Sequence, residues 1–558
     1  MLVVFEGIDG SGKTTLSGRV AAALRERGIG VEHVREGGRF ASPITQGLRE
    51  FTRDARNLKL VPEAELLLYA AREAQLLRES TLPAMARAEI VLADRFFFTA
   101  GILAVEGRGL PSDVVAPILR AATGGVEPDL VFWVDADPHV ARARRRVSKV
   151  LAAKSGGSSR KGLSGTGLQH RLRDGYRRLA QGDPTRWIVL ENDDEPLESM
   201  VEWVVALLQI ARGLGPQAAI RAAQQRCTTS THARVDRGPG NAEEARTRLL
   251  RWVDDRAVLE PALAAWILGG LYGPGVDERR IALSSRAPEV VAAGLHGLQD
   301  RVSWRLRAVL AGVAPRQVAR SLAGASDASA SMRARLAAMA PREVALSLRG
   351  LDDAISWAMR EALEPVVPSD VLRSLSRIGS ERAWKTRERL LATASAAARA
   401  ASVTGLDDPR AWEIRRSARE AAPVEALASI GGLGSEEAWA WREELAAFAP
   451  RVVLRTIDGD DSPRSWVLRR RAAPRCKEAL DSMTGLDSNE AWAFREKYAA
   501  RWPSTVAKSL GPLASESRGR AMLESLLARS GHDLSLWRHA VAALVPEESL
   551  AVAAIETA

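Results

Sequence analysis

A parallel α/β sheet domain followed by an all-α array of helical hairpins is the fold this sequence of 558 residues predicts. Three features carry that prediction. Five short, unalternating apolar runs are separated by amphipathic stretches in the first 212 residues, and a glycine-rich loop follows the first run directly. In the second half a Trp-x-x-Arg pattern recurs about every 27 residues.

The apolar runs are Leu2–Phe5, Val31–Val34, Glu89–Ala93, Asp129–Val134 and Trp187–Leu190. Runs without alternation suit strands buried on both faces, and the helical patterns between them imply a five-stranded parallel sheet flanked by helices over residues 1–212. Residues 213–245 turn polar and breaker-rich, ending in Arg237-Gly238-Pro239-Gly240-Asn241, and read as a linker.

From residue 246 to 558 the repeat dominates. The pattern starts at Trp304, Trp357, Trp384, Trp412, Trp439, Trp466 and Trp492, with a Met332/Arg335 pair filling the first gap. Pro315, Pro368, Pro423, Pro450 and Pro503 each follow a Trp, and turns such as Gly405-Leu406-Asp407-Asp408 precede one. An Asp or Ser caps a first helix whose stripe holds Trp, and Pro opens a second, shorter helix. So small a pair cannot bury its own face, so neighbours stack into a solenoid of roughly ten or eleven units, with Trp252 and Trp537 in degenerate end units. The array resembles HEAT-like α-solenoid repeats. The Trp-x-x-Arg pairs could form a ligand-binding ladder. Regular recurrence at one helical phase favours the other reading, in which Trp fills the core between units and Arg lies over its ring or snorkels to water.

Composition narrows the function classes. No window approaches a membrane span, no signal peptide opens the chain, and Cys227 and Cys476 alone exclude a disulfide scaffold, so a soluble, cytoplasmic protein is expected. The net charge is +10, yet Arg142 to Arg178 alone holds twelve basic residues against one acid. The rest of the chain is therefore near neutral, and the charge distribution argues against a nucleic-acid partner.

The chemistry starts at Gly7-Ile8-Asp9-Gly10-Ser11-Gly12-Lys13-Thr14, a full G-x-x-x-x-G-K-[ST] P-loop between an apolar run and an amphipathic helix. Backbone N–H groups from Gly7 through Thr15 can curl around phosphate oxygens, and the helix N-terminus adds positive potential. Lys13 can bridge the β- and γ-phosphates of ATP, and the Thr14 hydroxyl can reach Mg²⁺.

The surrounding residues make the class narrower. Phe5-Glu6-Gly7-Ile8-Asp9-Gly10-Ser11-Gly12-Lys13-Thr14-Thr15, Arg35-Glu36-Gly37-Gly38, Tyr69-Ala70-Ala71-Arg72, Asp94-Arg95 with Thr99, Arg108-Gly109-Leu110, Pro128-Asp129-Leu130 and Arg171 to Tyr176 together resemble the thymidylate kinase family over residues 1–210. The resemblance implies a Mg²⁺- and ATP-dependent nucleoside monophosphate kinase, with dTMP as acceptor. It implies that Arg35 and Arg95 hold the acceptor's monophosphate, that Asp94 orients Mg²⁺ or its waters, that Arg72 contacts the pyrimidine base, and that Asp9 faces the acceptor sugar. Arg144, Arg145 and Arg146 would serve the transferring phosphoryl group beside Lys13 and Arg95.

Departures from the family gather at the acceptor pocket. Leu68 stands where the family has Phe, and an ungapped count from Asp94 to Arg108 puts Leu103 and Ala104 where it has Tyr-Gln. The Phe96-Phe97-Phe98 triplet is a further source of stacking. The lid also departs: Lys154 to Gly167 is Gly/Ser-rich with scattered charge, compatible with a lid closing on phosphate and equally with a disordered basic insertion. Two functions remain in view. One is a kinase with an appended interaction array for an unknown protein partner. The other is a nucleotide-sensing, kinase-like module that switches a solenoid scaffold with little or no turnover.

Overall fold

Five parallel strands form the sheet, and each begins at or one residue beyond the start of an apolar run: β1 (Leu2–Glu6), β2 (Val31–Arg35), β3 (Ile90–Asp94), β4 (Leu130–Asp135) and β5 (Trp187–Glu191). Their order across the sheet is 2-3-1-4-5. Every residue of β1, β3 and β4 is buried, which is why those runs show no alternation. The coordinates are a computed structural model that describes residues 1–558 except 36–41, 58, 153–165, 193–195, 231–237, 274, 326–328, 530, 532 and 544–558. The chain divides into two compact units, one chiefly of residues 1–145 and 164–234, the other chiefly of residues 235–558. Among the described residues no helix is long and apolar enough to cross a membrane.

Around the sheet run α1 (Lys13–Glu26), α2 (Pro43–Arg53), α3 (Pro62–Leu76), α4 (Leu82–Arg87), α5 (Phe97–Ile102), α6 (Ser112–Thr123), α7 (Pro138–Leu151), α8 (Thr166–Gly182), α9 (Leu197–Leu214) and α10 (Pro216–Ser230). One face of the sheet is covered by α1 and α9, which bury Leu16, Val20, Val204 and Leu208 against Phe5 and Phe132. The reading of residues 213–245 as a linker misses α10. Pro216 opens that helix, and Ala219, Ile220 and Ala223 at i, i+1 and i+4 bury a narrow stripe in the same core. Its polar remainder hid the stripe.

Among the described residues of the second unit, eleven helix pairs follow one another from Ala242–Leu259 with Pro261–Leu268 to Ser517–Arg529 with Leu534–Ala543. Proline opens the short helices at Pro315, Pro368, Pro423, Pro450 and Pro503, as the sequence implies, and Pro341 opens another. Trp357, Trp384, Trp412, Trp439, Trp466 and Trp492 are buried between units. The indoles of Trp357, Trp412, Trp466 and Trp492 are tied to an Asp five residues earlier; Trp412, for instance, donates from Nε1 to Asp407 Oδ1 at 2.7 Å. The Trp side chains are core.

The arginines do not snorkel. Arg442 lies 4.6 Å from the Trp439 ring centre and is buried. Its Nη2 donates to the carbonyls of Ile430 at 3.1 Å and Leu433 at 2.7 Å, and its Nε donates to Thr456 Oγ1 at 3.0 Å. The guanidinium thus pins the end of the preceding unit to the short helix of its own. Burial draws Arg307, Arg360, Arg387, Arg415, Arg469 and Arg495 down to about 10, so all stay charged at neutral pH. Charge on an aromatic face and charge-assisted bonds to carbonyls offset that desolvation.

Two details of the repeat are corrected. The unit before Trp357 uses Arg333, not Met332/Arg335: Arg333 donates to Ser347 Oγ at 3.1 Å and to Leu322 O at 3.0 Å, while Arg335 is exposed. Ala330 stands where the units of Arg307, Arg360, Arg387, Arg415, Arg442, Arg469 and Arg495 have Trp, so the aromatic marker vanishes and only the Arg keeps the phase. Trp537 sits on the second helix of the last pair, not in the first-helix position. The two end pairs also pack together: Leu534–Ala543 lies against Ala242–Leu259, and Arg538 donates to the Gly269 carbonyl. The array closes on itself, so neither end needs the polar cap of an open solenoid.

In six of the units one donor is left over. The Nη1 groups of Arg307, Arg360, Arg387, Arg415, Arg442 and Arg495 are buried with no hydrogen-bond partner among the described residues. In the unit of Arg469 the same nitrogen donates to Ser465 Oγ at 2.8 Å and to Asp460 O at 2.6 Å. Ala438 occupies the Ser465 position relative to Arg442, behind a Ser435 cap that matches Ser462. Ala438→Ser is therefore expected to stabilise the array by about 0.5–1.5 kcal/mol, read from denaturant melts. A neutral or destabilising result would mean that the added hydroxyl does not reach Nη1.

Candidate active site

The loop between β1 and α1 turns back over the strand ends because its glycines permit it. Gly7 has φ +146° and a Cβ there would lie 2.5 Å from Val134 O; Gly10 has φ +90° and a Cβ would lie 2.2 Å from Ala141 O. Side chains at either place would open the loop. Lys13 is buried beneath it and donates from Nζ to Ile8 O at 3.0 Å. Burial, reinforced by the Arg95 charge, lowers its ammonium to about 8. Ile8 and Ser11 are buried in the loop, and Thr15 is exposed on the first turn of α1.

At the C-terminal edge of the sheet, Phe5 and Arg35 both pair in register with Asp94 from the strands on either side. The exposed Arg35 side chain and the buried Asp94 thus emerge from adjacent strand ends. Thr14 Oγ1 donates to Asp94 Oδ2 at 2.6 Å, while Asp94 Oδ1 is buried without a hydrogen-bond partner among the described residues. A hydroxyl and a buried carboxylate oxygen at the P-loop are the protein share of a Mg²⁺ site whose remaining ligands are phosphate and water oxygens. Among the described residues no cluster of three or more acidic, His or Cys side chains could hold a metal unaided.

Arg95 follows Asp94 with φ +79°, a left-handed conformation rare for a side-chain-bearing residue. Its N–H donates to Phe5 O at 3.0 Å, and Nη1 donates to Thr99 Oγ1 at 2.9 Å and Gly7 O at 3.2 Å. Nη2 pairs with Asp9 Oδ1, and Arg145 lies 3.9 Å from the other Asp9 oxygen. Arg144 donates to the Asn192 carbonyl at 2.8 Å, and Arg146 is exposed on the same helix.

Farther out, Arg72 is buried on α3 with its guanidinium 4.7 Å from the Tyr69 ring centre and 3.2 Å from Glu73. Leu68 is half-buried on that helix. Leu103 is half-buried and Ala104 is core, packed with Leu66, Ala70 and Leu119. Both lie in a π-helical turn, Leu103–Gly107, which adds a residue to the helix that starts at Phe97. The ungapped count from Asp94 takes no account of that extra residue. Of the Phe triplet, Phe96 is core and Phe98 packs edge-on against Trp187 at 5.0 Å, leaving Phe97 between the two hydrophobic clusters. Residues 36–38 of the Arg-Glu-Gly-Gly stretch and 154–165 of the lid fall outside the described residues.

Three features escaped the sequence. Glu6, an acid closing a buried strand, accepts from Phe96 N–H, Thr99 and Tyr176. Asp135, which ends β4 as Asp94 ends β3, holds Arg173 of α8 bidentately at 2.7 and 2.8 Å. Asn192 Nδ2 donates to Ser11 O and so braces the loop from β5. An acid at the end of an apolar run is the only signal that could have pointed to the first two.

A P-loop at the switch point of a 2-3-1-4-5 parallel sheet, with a carboxylate and arginines at the neighbouring strand ends, defines a nucleotide-dependent phosphotransferase. Residues 5–202 match the family model Thymidylate kinase. Thymidylate kinase of Trichlorobacter lovleyi is 36% identical over 200 residues, covering 36% of this chain and 92% of that protein. The enzyme of the same name from Geobacter sulfurreducens is 38% identical over 194 residues, 34% of this chain and 89% of its own length, and that of Chlorobium chlorochromatii 34% over 201 residues, 35% and 89%. The chain belongs to the thymidylate kinase family.

Proposed function

We propose that the first unit transfers the γ-phosphoryl group of ATP to dTMP, giving dTDP and ADP. The observation that carries this reading is the convergence of Lys13, the Thr14–Asp94 pair, Arg35 and Arg95 on one edge of the sheet. The relatives named thymidylate kinase supply the acceptor.

In this reading an oxygen of the acceptor's monophosphate attacks the γ-phosphorus as the bond to the β,γ-bridging oxygen breaks toward ADP. Backbone N–H groups of Gly7 to Thr15 cradle the ATP phosphates, and Lys13 neutralises charge at the β/γ junction. Thr14 and Asp94 would hold Mg²⁺, which supplies further charge neutralisation. Arg35 and Arg95 hold the acceptor monophosphate, Arg72 and Leu68 border the base, Leu103 borders the pocket, and Asp9 faces the sugar. Arg145 is the best placed of Arg144, Arg145 and Arg146 to reach the transferred group. Placing two anions in line is the whole of the task, because positioning and preorganised charge supply most of the rate. The domain boundary falls between α10 and the helix pair that starts at Ala242, and the helical array serves as the surface for a protein partner.

The test is to incubate the protein with ATP, Mg²⁺ and a panel of monophosphates and follow diphosphate formation. A preference for dTMP over dUMP and CMP of only ~1–3 kcal/mol is expected, since a methyl pocket and Arg72 do the sorting without a Phe at position 68. No product from any acceptor, with ATP still bound, would favour the nucleotide-sensing reading. Discrimination near 10⁴-fold would show a pocket rebuilt by other residues.

A further inference from the structure

We propose that Glu6 and Tyr176 are positioning residues for Arg95, acting through the Thr99 hydroxyl to fix the direction in which the acceptor-binding guanidinium points. The inference rests on the reading of Arg95 as a ligand of the acceptor monophosphate.

The network is buried and its hydrogens can be assigned. Glu6 is fully buried at the end of β1, and its Oε1 accepts the Phe96 N–H at 2.9 Å. Its Oε2 accepts two hydroxyls, Thr99 at 2.7 Å and Tyr176 at 2.8 Å. With both protons committed to that one oxygen, the Thr99 oxygen has only lone pairs left to present to Arg95. Arg95 Nη1 donates into them at 2.9 Å. The separation of 3.1 Å between the Thr99 and Tyr176 oxygens follows from sharing one acceptor.

Each member is held from a different element. Tyr176 comes from α8, and its ring stacks on Trp133 of β4 at 6.5 Å between centres. Thr99 belongs to α5, Glu6 to β1, and Arg95 leaves β3 in the left-handed conformation that turns its side chain back over Gly7. Without the carboxylate, the Thr99 proton is free to rotate toward the guanidinium and repel it. The left-handed backbone of Arg95 is strained, and it persists because these partners over-determine it. The helix that follows the lid stretch is thereby wired to the arginine on the acceptor side. Small displacements of a group that positions a reactant carry large rate penalties.

Steady-state kinetics of the full chain with ATP and dTMP test this. Thr99→Val keeps shape and removes the acceptor, and it should raise KM for dTMP about tenfold while leaving KM for ATP unchanged. Thr99→Ser should restore the parent value. Tyr176→Phe should shift KM for dTMP in the same direction by a few-fold, and thermal melts of each variant show that the fold is intact. Parent-like kinetics for Thr99→Val, or equal changes in both KM values, would overturn the inference. Arg95→Ala separates it from the reading beneath: if that variant raises KM for dTMP while Thr99→Val does not, only the positioning role fails. If Arg95→Ala leaves KM for dTMP unchanged, the assignment of Arg95 fails and the inference with it.

Discussion

Replacing Lys13 by Ala is expected to lower kcat by on the order of 10²–10³ while the protein melts at or above the parent temperature. The two halves of that result have one cause. The ammonium is buried under the loop, donates to Ile8 O at 3.0 Å, and is drawn down to about 8 by burial and by Arg95. Its charge is uncomfortable in the free protein and is used only when phosphates arrive, so its removal costs the reaction and not the fold. The same depression gives a pH signature. Phosphate binding favours charged Lys13 and raises its pKa, so ATP affinity should fall as pH rises through about 8, with proton uptake on binding above that value. Calorimetry in buffers of different ionisation enthalpy would show the uptake, and Lys13→Ala should lose it. Turnover within about twofold of the parent would count against the P-loop as the catalytic centre.

What could be read from the sequence was local. The P-loop needs Gly where a Cβ would strike backbone, so Gly7 was visible without a structure. The strands were visible because burial on both faces removes alternation. The Trp phase was visible because one Trp per unit fills one inter-unit space. What escaped was the long-range pairing. Glu6 and Tyr176 stand 170 residues apart, and nothing near either announces the other. The closure of the array joins its first and last helix pairs, which no period can reveal. The π turn at Leu103–Gly107 shifts the helix register without leaving a mark in composition, so residue counting into the acceptor pocket was the least secure step. The unit at Arg333 shows the same limit in small: once Trp gives way to Ala330, Met332 and Arg335 mimic the spacing while the buried Arg sits two residues earlier.

Trp466→Ala should destabilise the array by about 3–5 kcal/mol, the largest loss from any single truncation proposed for the second unit. Trp466 is among the largest fully buried side chains, and the Phe494 ring of the following unit packs on it at 5.6 Å. Its Nε1 donates to Asp461 Oδ1 at 2.7 Å, and Arg469 lies 4.8 Å from its ring centre. Truncation opens a cavity, removes a donor from Asp461, and takes from a buried guanidinium the aromatic face that compensates its charge. Trp304 gives the internal contrast. It is only half-buried, although Arg307 lies 4.6 Å from its ring centre, so Trp304→Ala should cost clearly less at the same position of its unit. A ligand-binding ladder makes the opposite forecast: both truncations near-neutral in stability, with partner binding lost. Denaturant melts of the full chain, followed by helical circular dichroism, decide between them. Because the first and last pairs pack together, the weakened unit has supported neighbours on both sides, and the loss should appear as a shifted array transition rather than fraying from one end. A Trp466→Ala protein melting with the parent would remove Trp from the core and return the pairs to the status of a binding surface.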